Sequence, residues 1–158
     1  MNSMAIKTTG IDHIHFNVRD LKRMLGTLNQ LFETDATPVG HLKPLGIYNS
    51  TVKLVGADAG QPFLDLFQSA SDSSGVAKVI EARGPSVSFI SFRVEDIEAA
   101  AEHATKRGLR EVSRFGFRGM KQVQYDTLDA LGFEGQLEEI KRRLRAGETV
   151  DGMKYVEL

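Results

Sequence analysis

Two imidazoles and an amide stand at every second position in IDHIHFNVRDL (residues 11–21): His13, His15 and Asn17. In an extended strand this spacing places all three on one face and puts Ile14, Phe16 and Val18 on the other. An imidazole ordinarily titrates at about pH 6.5, so it can take or give a proton near neutrality. His15 therefore reads as a general base or a hydrogen-bonding partner for a substrate, against the plainer role of a structurally satisfied histidine. A second stretch, VSFISFRVEDI (87–97), repeats the pattern. Ile90, Phe92, Val94, Asp96 and Ile97 stand where Ile14, Phe16, Val18, Asp20 and Leu21 stand in the first. Phe89, Ser91 and Arg93 fall on the positions of His13, His15 and Asn17, so the two copies are expected to differ in chemistry. The chain has no cysteine, which excludes disulfides, thiolate metal sites and a cysteine nucleophile.

The elements that must hold these residues are legible in outline. A strand over about 11–18 runs into a helix capped by Asp20 and reaching about Phe32, with Leu21, Met24, Leu25, Leu28 and Leu31 as its apolar stripe. Pro38, Gly40, Pro44 and Gly46 mark a loop that contains His41. Strands follow at 48–56 and 62–69, joined through ADAGQ as a hairpin. After the polar run SASDSSG, residues 76–84 read as a short helix stopped by Gly84. The second copy brings a strand (87–94) and a helix capped by Asp96 that runs to about Arg107, with His103 on its surface and Gly108 as its stop. Three strands are expected near 110–115, 121–126 and 133–138. EEIKRRLRAGE reads as a charged, solvated helix or a dimer contact, and the tail TVDGMKYVEL shows no legible role. A duplication of this size points to two copies of one supersecondary unit. The expected organisation is a first module at 10–69, a linker helix at 70–85, a second module at 86–140, and a C-terminal helix and tail at 141–158.

Composition narrows the function classes. The chain has 158 residues, 41% of them apolar and 26% charged, as in an ordinary globular protein forming one compact domain or two halves with a shared core. A formal charge of −1 gives no basic face for phosphate backbones, so no nucleic-acid partner is expected. No apolar run approaches the roughly 20 residues that span a bilayer, and residues 1–10 lack the apolar core of a signal peptide. The expected setting is cytoplasmic, with no membrane.

The order strand, helix, about three strands, twice over, resembles the vicinal oxygen chelate superfamily, which includes glyoxalase I, bleomycin-resistance proteins and extradiol dioxygenases. IDHIHFNVRDL and SGVAKVIEARGPSVSFISFRVEDIEAAAEHATKRGLR are similar to the methylmalonyl-CoA epimerase-like branch, and YDTLDALGFEGQLEEI resembles the family's closing stretch. The resemblance covers residues 10 to about 140. It implies an α+β fold of tandem βαβββ modules forming an open, cup-shaped mixed sheet, a small-molecule substrate, and a homodimer. It also implies a divalent metal (Mg, Mn, Co, Ni, Fe or Zn) held at four places, here His13, Asp65, Phe89 and Gln136. Phe89 cannot ligate, so the family's second histidine is missing and the expected metal set is His13, Asp65 and Gln136. The plainer roles are a cup-lining histidine, a buried carboxylate paired with a base such as Arg93, and a polar wall residue. His15 lies roughly 6 to 7 Å along the strand from His13 and is a further ligand candidate.

The resemblance implies an isomerase, epimerase or lyase that moves a proton next to a carbonyl, with a metal or fixed donors stabilising the enolate. The branch uses a glutamate base, for which Gln136 cannot serve. The candidate catalytic residues are His15, Glu138 and Arg93, with Glu134 sharing the parity of Glu138. Asn17, Tyr48, Phe63, Phe67, Phe89, Ser91 and Tyr125 are the candidate substrate-binding residues, suiting an apolar or aromatic compound. SRFGFRGMK (113–121) offers Arg114 or Arg118 to an anion, against the plainer role of a surface loop. The alternative is a metal-free protein that binds, sequesters or transforms an apolar ligand, as Phe89 suggests. Extradiol dioxygenase and glyoxalase I chemistry are disfavoured because their ligand sets are incomplete here.

Overall fold

A computed structural model of the chain describes residues 5–58, 60–117, 119–141, 143 and 153–158. The elements in order are β1 (Gly10–Val18), α1 (Leu21–Leu31), β2 (Thr34–Ala36), β3 (Gly40–Leu42), a 3-10 turn (Lys43–Leu45), β4 (Ile47–Leu54), β5 (Phe63–Ser69) and α2 (Gly75–Arg83). They continue with β6 (Ser86–Arg93), α3 (Ile97–Lys106), β7 (Glu111–Phe117), β8 (Met120–Tyr125), α4 (Leu128–Leu131), β9 (Glu134–Ile140) and β10 (Met153–Tyr155). The fold is α+β, built of βαβββ-like modules. The chain divides into two compact units: an N-terminal unit of His13–Ser88 with Thr149–Leu158, and a C-terminal unit of Met1–Asp12 with Phe89–Glu148.

In the N-terminal unit the strand order is β10-β3-β4-β5-β1, with β2 on β4; β1 and β5 run parallel and the other pairs antiparallel. Asp20 caps α1 by accepting from the Arg23 N–H, as its position predicts. The Leu21 amide donates to Gln68 Oε1 at 2.7 Å, tying the first turn of α1 to the end of β5. Val18, Leu21, Val52 and Leu66 form the buried core, flanked by Phe16, Met24, Leu25, Leu28 and Leu64. One face of this sheet is therefore sealed by α1, and the alternation of β1 sends His13, His15 and Asn17 to the other.

The C-terminal unit has the order β6-β9-β8-β7, with β6 and β9 parallel. Asp96 caps α3 through the Ala99 N–H. Ile97, Ala100, Ala101 and Ala104 pack on Val94, Val123, Tyr125 and Leu137. The end of α3 is a Schellman motif: Gly108, at φ +84°, donates to Thr105 O while Leu109 donates to Ala104 O.

Three readings change. β2, β3, the 3-10 turn and α4 arise where only loops or longer strands are expected, because each is a short piece fixed by its neighbours. EEIK is not the start of a helix: β9 continues to Ile140, which pairs with Met120, and the cross-strand ladder overrides local helix propensity. The rest of that expected helix, residues 142 and 144–148, lies outside the described residues. The tail does acquire a role, since Met153–Tyr155 pair with β3. Gly40 makes this fit, for a Cβ there would stand 2.7 Å from Met153 Sδ.

Leu66 is fully buried between α1 and the sheet. Leu66→Ala is expected to lower the unfolding free energy by about 2–5 kcal/mol, and Asp96→Ala by about 1 kcal/mol through loss of the cap, both read from urea denaturation.

Candidate functional site

The polar face of the N-terminal unit gathers side chains from three strands. Register pairs His13 with Phe63, His15 with Asp65 and Asn17 with Phe67 across β1 and β5, and Asn49 with Phe67 across β4 and β5. Paired residues share a face, so all of them lie together. His13, His15 and Asn17 are each about 2–3% exposed. Asp65 is the centre of the group. Its Oδ1 accepts from Asn49 Nδ2 at 2.6 Å, and its Oδ2 faces His15 Nδ1 at 3.6 Å and His13 Nε2 at 4.0 Å. His15 Nε2 lies 2.9 Å from Asn17 Oδ1. Phe63 stacks on His13 at 5.0 Å between centroids, and Phe67 meets His15 edge-on at 4.2 Å, so both imidazole planes are held by aromatic neighbours.

The C-terminal unit has its own polar face. Phe89, Ser91 and Arg93 on β6 stand opposite Glu134, Gln136 and Glu138 on β9, with Gln122 and Gln124 of β8 beside them. Glu138 is 2% exposed; Ser91 Oγ donates to one of its oxygens at 3.1 Å and Gln122 Nε2 to the other at 2.9 Å. Gln124 donates to Glu134. Gln136 Oε1 is buried and accepts no hydrogen bond among the described residues. Arg93 has its Nε 4.0 Å from the Oδ1 of the buried Asp12 and donates through Nη2 to Ile11 O at 3.4 Å; Arg143 also donates to Asp12. Gly10 makes room for this guanidinium, since a Cβ there would stand 2.9 Å from Arg93 Nη2.

Two expected substrate contacts lie off the polar rows. Tyr48 pairs with Gln68 and packs against the α1 core, next to His41, and Tyr125 pairs with Gly135 inside the α3 core. Each is one residue out of parity with the polar row, so the strand pleat turns it inward. Arg114 sits on β7, the strand at the edge of its sheet, and is bonded to Glu111 and Glu98. Arg118 lies outside the described residues. His103 is in the last turn of α3. Asn49, Gln122 and Gln124 join the polar rows through hydrogen bonds that sequence reasoning misses, although each has the right alternation. Asp12 carries a signal: a carboxylate at an otherwise apolar parity of a strand must find a cation.

A strand–helix–strands unit used twice, with buried polar groups on the sheet face away from each helix, defines a class of duplicated α+β proteins. The chain belongs to the Glyoxalase/Bleomycin resistance protein/Dioxygenase superfamily, which it matches over residues 12–125. It is similar in structure to methylmalonyl-CoA epimerase from Mycobacterium tuberculosis, with a TM-score of 0.74 and 21% identity over 90% of this chain and 94% of that one. It is also similar to a single-residue variant of the Streptomyces coelicolor methylmalonyl-CoA epimerase in complex with 2-nitronate-propionyl-CoA, with a TM-score of 0.73 and 21% identity over 86% of this chain and 100% of that one. A hypothetical protein from Bacillus halodurans matches at a TM-score of 0.71 and 22% identity, covering 85% and 96%. No curated protein matches the chain in sequence. Among the described residues no helix is long and apolar enough to cross a membrane.

Burial, with the charge of Glu111 adding to it, raises the Tyr125 phenol above its ordinary value. Its hydroxyl is buried and makes no hydrogen bond among the described residues. Below about pH 10 the phenol is neutral in both states and nothing is lost; above it the unfolded chain ionises first and stability falls. Tyr125→Phe is expected to leave stability at about pH 8 unchanged or slightly raised and to lose less than the parent between about pH 8 and 11, as urea denaturation at the two pH values will read.

Proposed function

We propose that the chain is an isomerase, epimerase or lyase that moves a proton on the carbon next to a carbonyl, with His15 as the proton-transfer group and Asp65 as its carboxylate partner. The observation that carries this reading is Asp65 Oδ2 facing two buried imidazoles while its other oxygen is tied to Asn49. Asn17 Oδ1 can only accept, so a neutral ring held by it carries its proton on Nε2 and leaves Nδ1, the nitrogen that faces Asp65 Oδ2, as the proton acceptor in this reading. The carboxylate beside Nδ1 stabilises the imidazolium that forms, and Asn17 and Phe67 keep the ring in place while the proton is returned. Glu138 and Arg93 remain the candidate charged groups of the C-terminal unit. The 2-nitronate-propionyl-CoA bound to the Streptomyces coelicolor epimerase supports an activated carbonyl compound as the substrate class.

A divalent metal fits the N-terminal unit by donor chemistry: His13 Nε2 and Asp65 Oδ2 are 4.0 Å apart, within the span of two ligands each about 2.0–2.2 Å from one ion. When bound, such an ion would polarise the substrate carbonyl as a Lewis acid. A second reading, a binding protein for an apolar or aromatic ligand, draws on Phe89, which is half-buried on the polar face of the C-terminal unit where the family resemblance implies a ligand.

Deuterium uptake from D2O tests the first reading, with methylmalonyl-CoA as the first probe and other 2-substituted acyl thioesters after it. Exchange at the carbon next to the carbonyl is expected, falling by roughly 10²–10⁴-fold in His15→Gln with the fold intact. Chelator treatment followed by elemental analysis is expected to remove an ion and slow the exchange. An absence of exchange across the panel, with apolar compounds raising the melting temperature, would overturn the enzyme reading in favour of the binding one.

A further inference from the structure

We propose that Asn17 and Asn49 are positioning residues, one at each end of the His15–Asp65 pair: Asn17 fixes the imidazole tautomer and Asn49 fixes the carboxylate rotamer. The inference rests on the assignment of His15 as the proton-transfer group and adds two residues to it. Asn17 follows His15 by two along β1, so the two side chains lie side by side on one face. With its Oδ1 2.9 Å from Nε2 and no proton to give from that atom, Asn17 favours the tautomer that carries the imidazole proton on Nε2. Asn17 is 2% exposed, which withholds the competing water that would otherwise bond either nitrogen. The edge of Phe67 against His15 hinders the ring flip that would exchange the two nitrogens.

Asn49 acts on the other partner. It lies on β4 opposite Phe67, one same-face step along β5 from Asp65. Its Nδ2 donates to Oδ1 at 2.6 Å, which sets the carboxylate plane and turns Oδ2 toward His15 at 3.6 Å and His13 at 4.0 Å. A carboxylate without this tether rotates about its own bond and presents either oxygen. Asn49 therefore determines which oxygen the imidazoles meet. Neither asparagine needs to touch substrate for this role.

Nitrogen-15 NMR of the whole chain labelled at histidine reads the arrangement without any substrate, under alkaline conditions where the neutral ring is observed. The His15 signals are identified by their loss in His15→Gln. Wild type is expected to show the Nε2–H tautomer with a downfield, slowly exchanging, hydrogen-bonded proton. Asn17→Leu is expected to move that proton upfield and speed its exchange, and Asn17→Asp, which keeps an accepting oxygen, to restore it. Asn49→Ala is expected to shift the ring nitrogens of both His13 and His15, since Asp65 Oδ2 faces both. An Nδ1–H tautomer in wild type, or His15 signals unchanged in Asn17→Leu, would overturn the role of Asn17. Ring signals of both histidines unchanged in Asn49→Ala would overturn that of Asn49. Failure of the deuterium exchange with these signatures intact would remove the proposed reaction and leave the positioning roles standing.

Discussion

The two-residue period of β1 is the constraint on which the rest depends. Phe16 and Val18 belong to the core that α1 closes, Ile14 shares their face by alternation, and Leu21 locks that helix down with no exposed surface of its own. Once that face is sealed, the pleat leaves His13, His15 and Asn17 no choice of direction. A slip of one residue would turn the two imidazoles toward the α1 core and lift Phe16 and Val18 out of it. The free energy of the apolar face thus holds the polar face in register, although it makes no contact with the polar groups.

Burial then determines what the polar face can do. His13, His15 and Asn17 are as inaccessible as the core, so each must find partners inside the protein. The partners come from β5 and β4: Asp65 for the imidazoles, Asn49 for Asp65, and Phe63 and Phe67 for the ring faces. The C-terminal unit solves the same problem with a different chemistry, a glutamate held by a serine and a glutamine in place of an aspartate among histidines. Duplication of the fold did not duplicate the site. The α3 core can keep its small alanines and its buried phenol while the opposite face diverges, because the two faces share only the backbone between them.

The repeated Asp caps, the Gly108 stop and the alternating strands are legible in the sequence because each is a local signal with a local cause. The short pieces β2, β3 and α4 are not, since three or four residues carry too little periodicity to read. The end of β9 escapes sequence reading for a related reason: Glu138, Glu139 and Lys141 favour a helix in isolation, and the ladder with β8 holds Glu138 and Glu139 as strand. In the site, His13, His15 and Asp65 are recognisable by type and spacing. Tyr48 and Tyr125 are harder to assign to their faces, because aromatic residues are equally at home in a core and in a cavity, and parity alone separates the two.

By itself the sequence determined the duplication and the face on which the imidazoles lie, both of which follow from periodicity along single elements, while the fold class followed from the repeat together with the family resemblance. Tertiary structure decided the pairings: that Asp65 meets both histidines through one oxygen, that Asn49 holds the other, and that Arg93 turns to Asp12. The physical reason is that strand register and side-chain rotamer depend on neighbours brought from distant parts of the chain. His15 and Asp65 are far apart in sequence and directly opposed in the sheet, and no local pattern in either strand encodes that registration.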